Sequence, residues 1–187
     1  AYKINCILLV MFSDPKNNIK QLHLTEGMSV ADFGSGSGHY VMAVSELVGD
    51  RGRVYAIDLQ QSLLQKVKRM VEDAKRENVD VLWGDIETVD GTKLGDESVD
   101  AVIIANTLFQ LEDKGTTAIE IRRVLKANGR LMVVDWSDSF GGMGPQASNI
   151  VTESTARGIF TEKGFEFDSR FDAGEHHYGL IFHKNNN

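Results

Sequence analysis

The sequence predicts an α/β fold: a doubly wound, mostly parallel seven-stranded sheet with helices on both faces and a C-terminal antiparallel hairpin. Three observations lead there. Short apolar runs alternate with helix-like stretches between residues 28 and 136, the rhythm of parallel strands joined by helical crossovers. Turn residues punctuate them, at 34–38, 49–52 and 128–129. The last two apolar runs, 165–171 and 177–183, are separated by too short a gap for a crossover, so they pair antiparallel.

Taken in order, residues 28–33 form a buried strand that ends at a glycine turn, and 40–48 have helical composition. Gly49-Asp50-Arg51-Gly52 turns the chain into a second strand, 53–58. Leu63, Leu64, Val67, Met70, Val71 and Ala74 recur at three-four spacing with Lys and Glu between them, which defines an amphipathic helix. Strands follow at 79–83 and 99–105, a helix at 116–125, and a fifth strand at 130–136 after the Asn128-Gly129 turn. Residues 137–152, rich in Gly and Ser and containing Pro145, form a loop on the substrate side; 153–163 are helical and stop at Gly164.

No repeat or low-complexity linker divides the 187 residues, so 1–187 reads as one domain with an N-terminal extension at 1–25. Within that extension the apolar run 4–12, "INCILLVMF", is about half the length of a membrane-spanning helix. It is expected to be a packed strand or helix, and no membrane span is expected. Hydrophobic residues make up 42% and charged residues 25%, ordinary for a globular chain. A net charge of −7 weighs against a nucleic-acid partner, which needs a basic face. Cys6 is the sole cysteine; this excludes an internal disulfide, disfavours a cysteine metal site and suits a reducing, cytoplasmic setting.

The chemistry concentrates at the ends of the first three strands. "VADFGSGSGHY" places Gly34, Gly36 and Gly38 between a strand and a helix, the context of a ligand-binding turn. A dinucleotide turn would read G-x-G-x-x-G with a pyrophosphate on the helix N-terminus. Here the pattern is D-x-G-x-G-x-G: the third glycine comes one residue early, and Asp32 adds a negative charge that repels a pyrophosphate and suits a cation. Asp58 ends the second strand 20 residues after Gly38, the distance at which an acid accepts from ribose hydroxyls. After the third strand, Asp85 offers an acceptor for an exocyclic amine and Ile86 a cover for a flat base. Together these describe a site for one positively charged nucleoside.

The motifs "VADFGSGSG", "VYAID", "WGDIE", "VDAVIIANTLFQLED" and "VLKANGRLMVVDW", in that order and spacing, resemble the class I S-adenosylmethionine-dependent methyltransferases over residues 26–182. The resemblance implies S-adenosylmethionine as cofactor, leaving as S-adenosylhomocysteine. It implies that Gly34, Gly36 and Gly38 pass under the methionyl part and ribose, with Asp32 near the methionine ammonium. Asp58 would hold the ribose hydroxyls with Leu59 beside the adenine. Asp85 would take the adenine amino group, Ile86 its face, and Asn106 would lie near the methionine moiety and the reacting centre.

Methyl transfer from a sulfonium needs alignment and exclusion of water more than acid–base machinery, and a base only where the nucleophile must lose a proton. His39 is the base candidate by position, with Asn106 beside the reacting centre; Tyr40, Phe109 and Trp136 are candidate walls of the substrate pocket. His176 and His177 with Asp172, Glu175 and His183 could be taken for a metal cluster. Adjacent strand residues point to opposite faces, so no metal site is expected.

Asn106-Thr107-Leu108-Phe109 lacks both prolines of the N/D-P-P-Y/F pattern that amino-methylating nucleic-acid enzymes carry after the fourth strand. One cysteine is too few for arsenite methylation. What remains resembles the small-molecule, quinone-biosynthesis type, with methyl transfer to a small-molecule acceptor by in-line displacement. A protein or RNA substrate, a non-catalytic S-adenosylmethionine-binding regulatory module and, least favoured, a nicotinamide dehydrogenase stay as alternatives.

Overall fold

The structure is a computed structural model that describes residues 13–140 and 144–185; the apolar run 4–12 lies outside the described residues. A helical turn, α1 (Pro15–Asn18), continues as a 3-10 turn, Ile19–Leu22. The strands are β1 (Ser29–Phe33), β2 (Arg53–Asp58), β3 (Val79–Trp83), β4 (Val99–Ala105), β5 (Leu125–Trp136), β6 (Phe165–Asp172) and β7 (His177–Lys184). The longer helices are α2 (His39–Val48), α3 (Gln61–Asp73), α4 (Lys114–Val124) and α5 (Glu153–Glu162).

The seven strands form one sheet in the order β3-β2-β1-β4-β5-β7-β6. Pairings from β3 through to β5 are parallel, and β7 pairs antiparallel with both β5 and β6. The C-terminal hairpin is therefore inserted with its second strand innermost. Both faces are apolar, as parallel strands covered by helices require. Along β4, Val102 and Ile104 pack towards α4 and α5, while Ala101 and Ile103 pack towards α2 and α3. Leu131 and Val133 against Met132 and Val134 repeat that alternation in β5.

Local chemistry sets the boundaries. The Asp113 carboxylate accepts from the Thr116 backbone N–H at 2.9 Å, an N-cap that starts α4 two residues before the expected position. Leu125, expected as the end of that helix, instead pairs with Val99 and opens β5. Asn128-Gly129 is not a separate turn before a strand. It belongs to an irregularity within β5, where the register with β4 shifts and Asn128 adopts φ 59°, as in a bulge. Residues 13–25 of the N-terminal extension pack against the sheet domain, with Ile19, Leu22 and Leu24 buried in the α2 side of the core.

Strand order reverses between β1 and β4, which run side by side. In open α/β sheets ligands bind beyond the carboxyl ends of the strands at this switch point.

Candidate functional site

A cleft of about 340 Å³ opens there, at the lower end of the roughly 300–1,000 Å³ of small-molecule sites. The register explains what reaches it. Phe33 pairs with Ile57 and Asp58 with Trp83, so the first three strands end nearly level. Asp32, Gly34, Gly36, Asp58, Leu59, Asp85 and Ile86 all line the cleft.

The glycine turn is fixed by backbone geometry. The N–H groups of Gly34 and Ser35 both donate to the Ile57 carbonyl at 2.9 Å, and Gly38 N–H closes the turn onto the Ser35 carbonyl at 2.8 Å. Gly34, Gly36 and Gly38 have φ of 76°, 51° and 78°, a region that glycine enters without steric cost. The three differ in what surrounds them. A Cβ on Gly34 would come within 2.7 Å of Thr107 Oγ1, and one on Gly38 within 2.8 Å of Met70 Cε. At Gly36 the nearest atom is 3.9 Å away. Gly36 thus borders open cleft space, whereas Gly38 does not line the cleft and serves the packing of α2 on α3.

Asp58 accepts from the Gly36 N–H at 2.9 Å and from the Gln60 N–H at 2.8 Å, which fix the orientation of its carboxylate. Asp32 is 3% exposed; burial first, and then the charge of Asp58, push its carboxyl up to about 7. Asp85 is held by its own turn, accepting from Glu87 N–H at 2.9 Å and from Thr88 Oγ1 at 3.0 Å. Leu59 and the neighbouring Trp83 are largely exposed, and the Trp83 indole donates to the Leu59 carbonyl at 2.9 Å.

On the other side, Asn106 follows β4 with φ 55° and lines the cleft with Ala105, Thr107, Gln110 and Leu111. Its side-chain Oδ1 is buried with no hydrogen-bond partner in the protein, as is the Ser35 hydroxyl. Buried polar atoms are rarely left so, and both residues belong to the cleft. His39 and Tyr40, at the start of α2, also line it. The Tyr40 hydroxyl accepts from Asn18 Nδ2 at 2.9 Å, and Asn18 also donates to Ser13 Oγ at 3.0 Å.

Phe109 and Trp136 are not among the lining residues. The Trp136 ring packs 4.3 Å from that of His177 and fills the space a Cβ on Gly144 would occupy. Asp135, 1% exposed beneath it, is pushed up to about 6 by burial. His176 pairs with Asp138 at 2.7 Å. No group of three His, Cys, Asp or Glu side chains among the described residues is arranged to hold a metal ion.

Sequence patterns missed Ser13 and Pro15, which line the cleft from the N-terminal extension. The signal was present: Asp14 caps α1 through the Asn17 N–H and Pro15 occupies its first turn, a helix-start pattern. Gln60, Leu63, Thr107 and Leu111 were also missed, and arrive only through the tertiary arrangement, whereas Gln110, expected among the candidates after the fourth strand, does line the cleft.

Fold and cleft together define a doubly wound α/β domain with its ligand site at the switch point of the sheet. Comparison with known proteins makes the class specific. Residues 24–176 match a family described as a methyltransferase domain. The chain is similar to the demethylmenaquinone methyltransferase of Shouchella clausii (29% identity, covering 65% of this chain and 51% of the relative). It is also similar to the ubiquinone/menaquinone biosynthesis C-methyltransferase UbiE of Hahella chejuensis (32%, covering 59% and 44%). It thus spans about half the length of these curated relatives. Among solved structures, a SAM-dependent methyltransferase from Aquifex aeolicus superposes with a TM-score of 0.85 at 29% identity, covering 94% of this chain and 92% of that one. The [4+2]-cyclase SpnF superposes with a TM-score of 0.79 at 16% identity, covering 91% and 79%; that likeness concerns the fold alone.

The chain belongs to the class I S-adenosylmethionine-dependent methyltransferases. S-adenosylmethionine is the cofactor of this class, and the donor set fits it: acids for a ribose and a cation, a glycine turn open to the cleft at Gly36, and an unpaired buried amide oxygen on Asn106.

Proposed function

We propose that this chain transfers a methyl group from S-adenosylmethionine to an uncharged or cationic small-molecule acceptor by in-line displacement. The observation that carries the reading is the convergence of Asp32, Asp58 and Asp85 on one cleft from three neighbouring strand ends. Asp58, held in place by the Gly36 and Gln60 N–H groups, accepts from both ribose hydroxyls, with Leu59 beside the adenine. Asp85 accepts from the adenine amine and Ile86 covers its face. Asp32 answers the methionine ammonium, and Asn106 Oδ1 faces the methionyl group.

When bound, the sulfonium supplies a methyl group on an already activated leaving group. The residues of the chain then have to align the acceptor and keep water out. His39 and Tyr40 form the wall nearest the glycine turn, and His39 takes a proton where the acceptor must lose one. The acceptor's charge follows from the lining: Asp32, Asp58, Asp85 and Glu87 are present, and no Lys or Arg is found among the described lining residues. An anionic acceptor would find no Lys or Arg side chain to pair with among them. The names of the similar proteins, demethylmenaquinone methyltransferase among them, support a small molecule.

No helix among the described residues is long and apolar enough to cross a membrane. We infer a cytoplasmic setting, supported by the single Cys6. Incubation with methyl-labelled S-adenosylmethionine and a metabolite extract tests the function. Label in the small-molecule fraction is expected. Label only in protein or RNA would reassign the acceptor, and cofactor binding with no labelled product would remove the catalytic claim.

A further inference from the structure

Glu120 lies on α4, outside the cleft, and is fully buried. An ionised carboxylate in that position is costly unless every bond it needs is made. They are made, and the partners are specific. Oε2 accepts from the Asp90 backbone N–H at 2.9 Å, and Oε1 from the Thr92 hydroxyl at 2.5 Å and the Thr92 N–H at 3.4 Å. Arg123, one helical turn on, donates through Nε at 2.8 Å and Nη2 at 2.7 Å. Burial alone would raise the Glu120 carboxyl, but the bonds from Arg123, Thr92 and Asp90 hold it below the ordinary value, so it is ionised near neutrality. Arg123 extends the grip along the same segment, to the Leu94 carbonyl at 2.9 Å and to Asp96 at 2.6 Å.

The gripped segment is the wall behind Asp85. Glu120 holds the residues on either side of Gly91, and the Gly91 carbonyl accepts the backbone N–H of Asp85 at 3.1 Å. Two backbones are pressed together here: a Cβ on Gly84 would lie 2.8 Å from the Gly91 carbonyl oxygen, and one on Gly91 would collide with the Asp85 carbonyl. Asp90 and Lys93 both adopt φ 63°, a region that costs non-glycine residues and persists where the surroundings enforce it. Apolar side chains in place of both Glu120 and Arg123 could fill the same space at similar stability, since a buried ion pair as a whole contributes little net stability. What an apolar side chain could not do is fix the two N–H groups that flank Gly91.

We propose that Glu120 is a positioning residue for base recognition: by clamping the segment 90–92 it presents Asp85 to the cleft and sets a preference for a 6-amino over a 6-oxo purine. The proposal rests on the assignment of Asp85 to the base given above.

The test compares S-adenosylhomocysteine with S-inosylhomocysteine, which carries a 6-oxo group, by calorimetry on the whole chain. The unaltered protein is expected to favour the adenine ligand, and Asp85→Ala to abolish the preference. Glu120→Gln should reduce the preference roughly tenfold by weakening the adenine ligand selectively, and should add nothing when combined with Asp85→Ala. Equal weakening of both ligands, with the preference intact, would show a merely structural role and overturn the proposal. If Glu120→Gln fails to fold, Thr92→Val, which removes one of the bonds to Glu120, reads the same ratio. A smaller fall supports the proposal and an intact preference overturns it. An unchanged preference in Asp85→Ala would instead overturn the assignment of Asp85, a separate failure.

Discussion

The two sides of the cleft are built differently. On the β1–β3 side, backbone groups do most of the placing: Asp58 is held by the Gly36 and Gln60 N–H groups, Asp85 within its own turn, and the glycine turn by the Ile57 carbonyl. On the other side, side chains from distant segments meet. Ser13 and Tyr40 are joined through Asn18, which also donates to the Ala173 carbonyl at 3.3 Å. The first side is fitted to one ligand shape. The second depends on contacts between distant segments, which is where variation in acceptor is expected on a fold that hosts many chemistries.

That contrast predicts the largest effect at Gly36. Gly36→Val puts a branched side chain into the cleft at a φ of 51°, a backbone strain that lowers the melting temperature, and in the folded protein, checked by circular dichroism, binding of S-adenosylhomocysteine should fall below detection. Gly34→Val should instead destabilise the fold, because Thr107 already occupies the space. If Gly36→Val binds normally, the backbone-built side is not the donor site.

Next comes Asp58→Ala, expected to weaken S-adenosylhomocysteine roughly ten- to a hundredfold, since charge-assisted bonds contribute about 1.5–3 kcal/mol. Equilibrium titration measures it, and unchanged affinity would mean the ribose is held elsewhere.

Asp32 predicts a pH effect with a definite sign. Its carboxyl sits at about 7 in the ligand-free chain, raised by burial and by Asp58, and a cationic ligand favours the ionised form. Affinity should therefore rise between about pH 6 and 8 and then level off. Stability of the ligand-free chain runs the other way. Because the folded value lies above the unfolded one, the protonated group's contribution is complete below about pH 4 and is lost as pH rises towards 7. Asp32→Asn should flatten both slopes; a slope in affinity that survives would assign the titration to another group.

The smallest effect is expected at Trp136, packed against His177 outside the cleft. Trp136→Ala should lower the melting temperature and leave cofactor affinity unchanged.

The same contrast explains what could be read from the sequence. Strand ends followed by Asp58, by Gly84-Asp85 and by the glycine turn are contiguous signals, because one short stretch carries both the element and its chemistry. Gly38 was legible as a turn glycine, but its neighbours Met70 and Val67 belong to another helix, so its packing role was not. Asn128-Gly129 carried a true turn signal, yet the pairing of Leu125 with Val99 and of Arg130 with Ala101 turned it into an irregularity within one strand. Nothing in the sequence around Glu120 signals burial, since a glutamate on a helix is ordinarily exposed; only the return of residues 90–92 across α4 buries it.

Calorimetric titration of this chain with S-adenosylhomocysteine and, separately, with NAD tests most directly that the cleft is a site for a sulfonium nucleoside. Saturable binding of S-adenosylhomocysteine that is lost in Gly36→Val, with NAD much weaker, is the predicted result. Tighter binding of NAD, or no binding of S-adenosylhomocysteine, would contradict it.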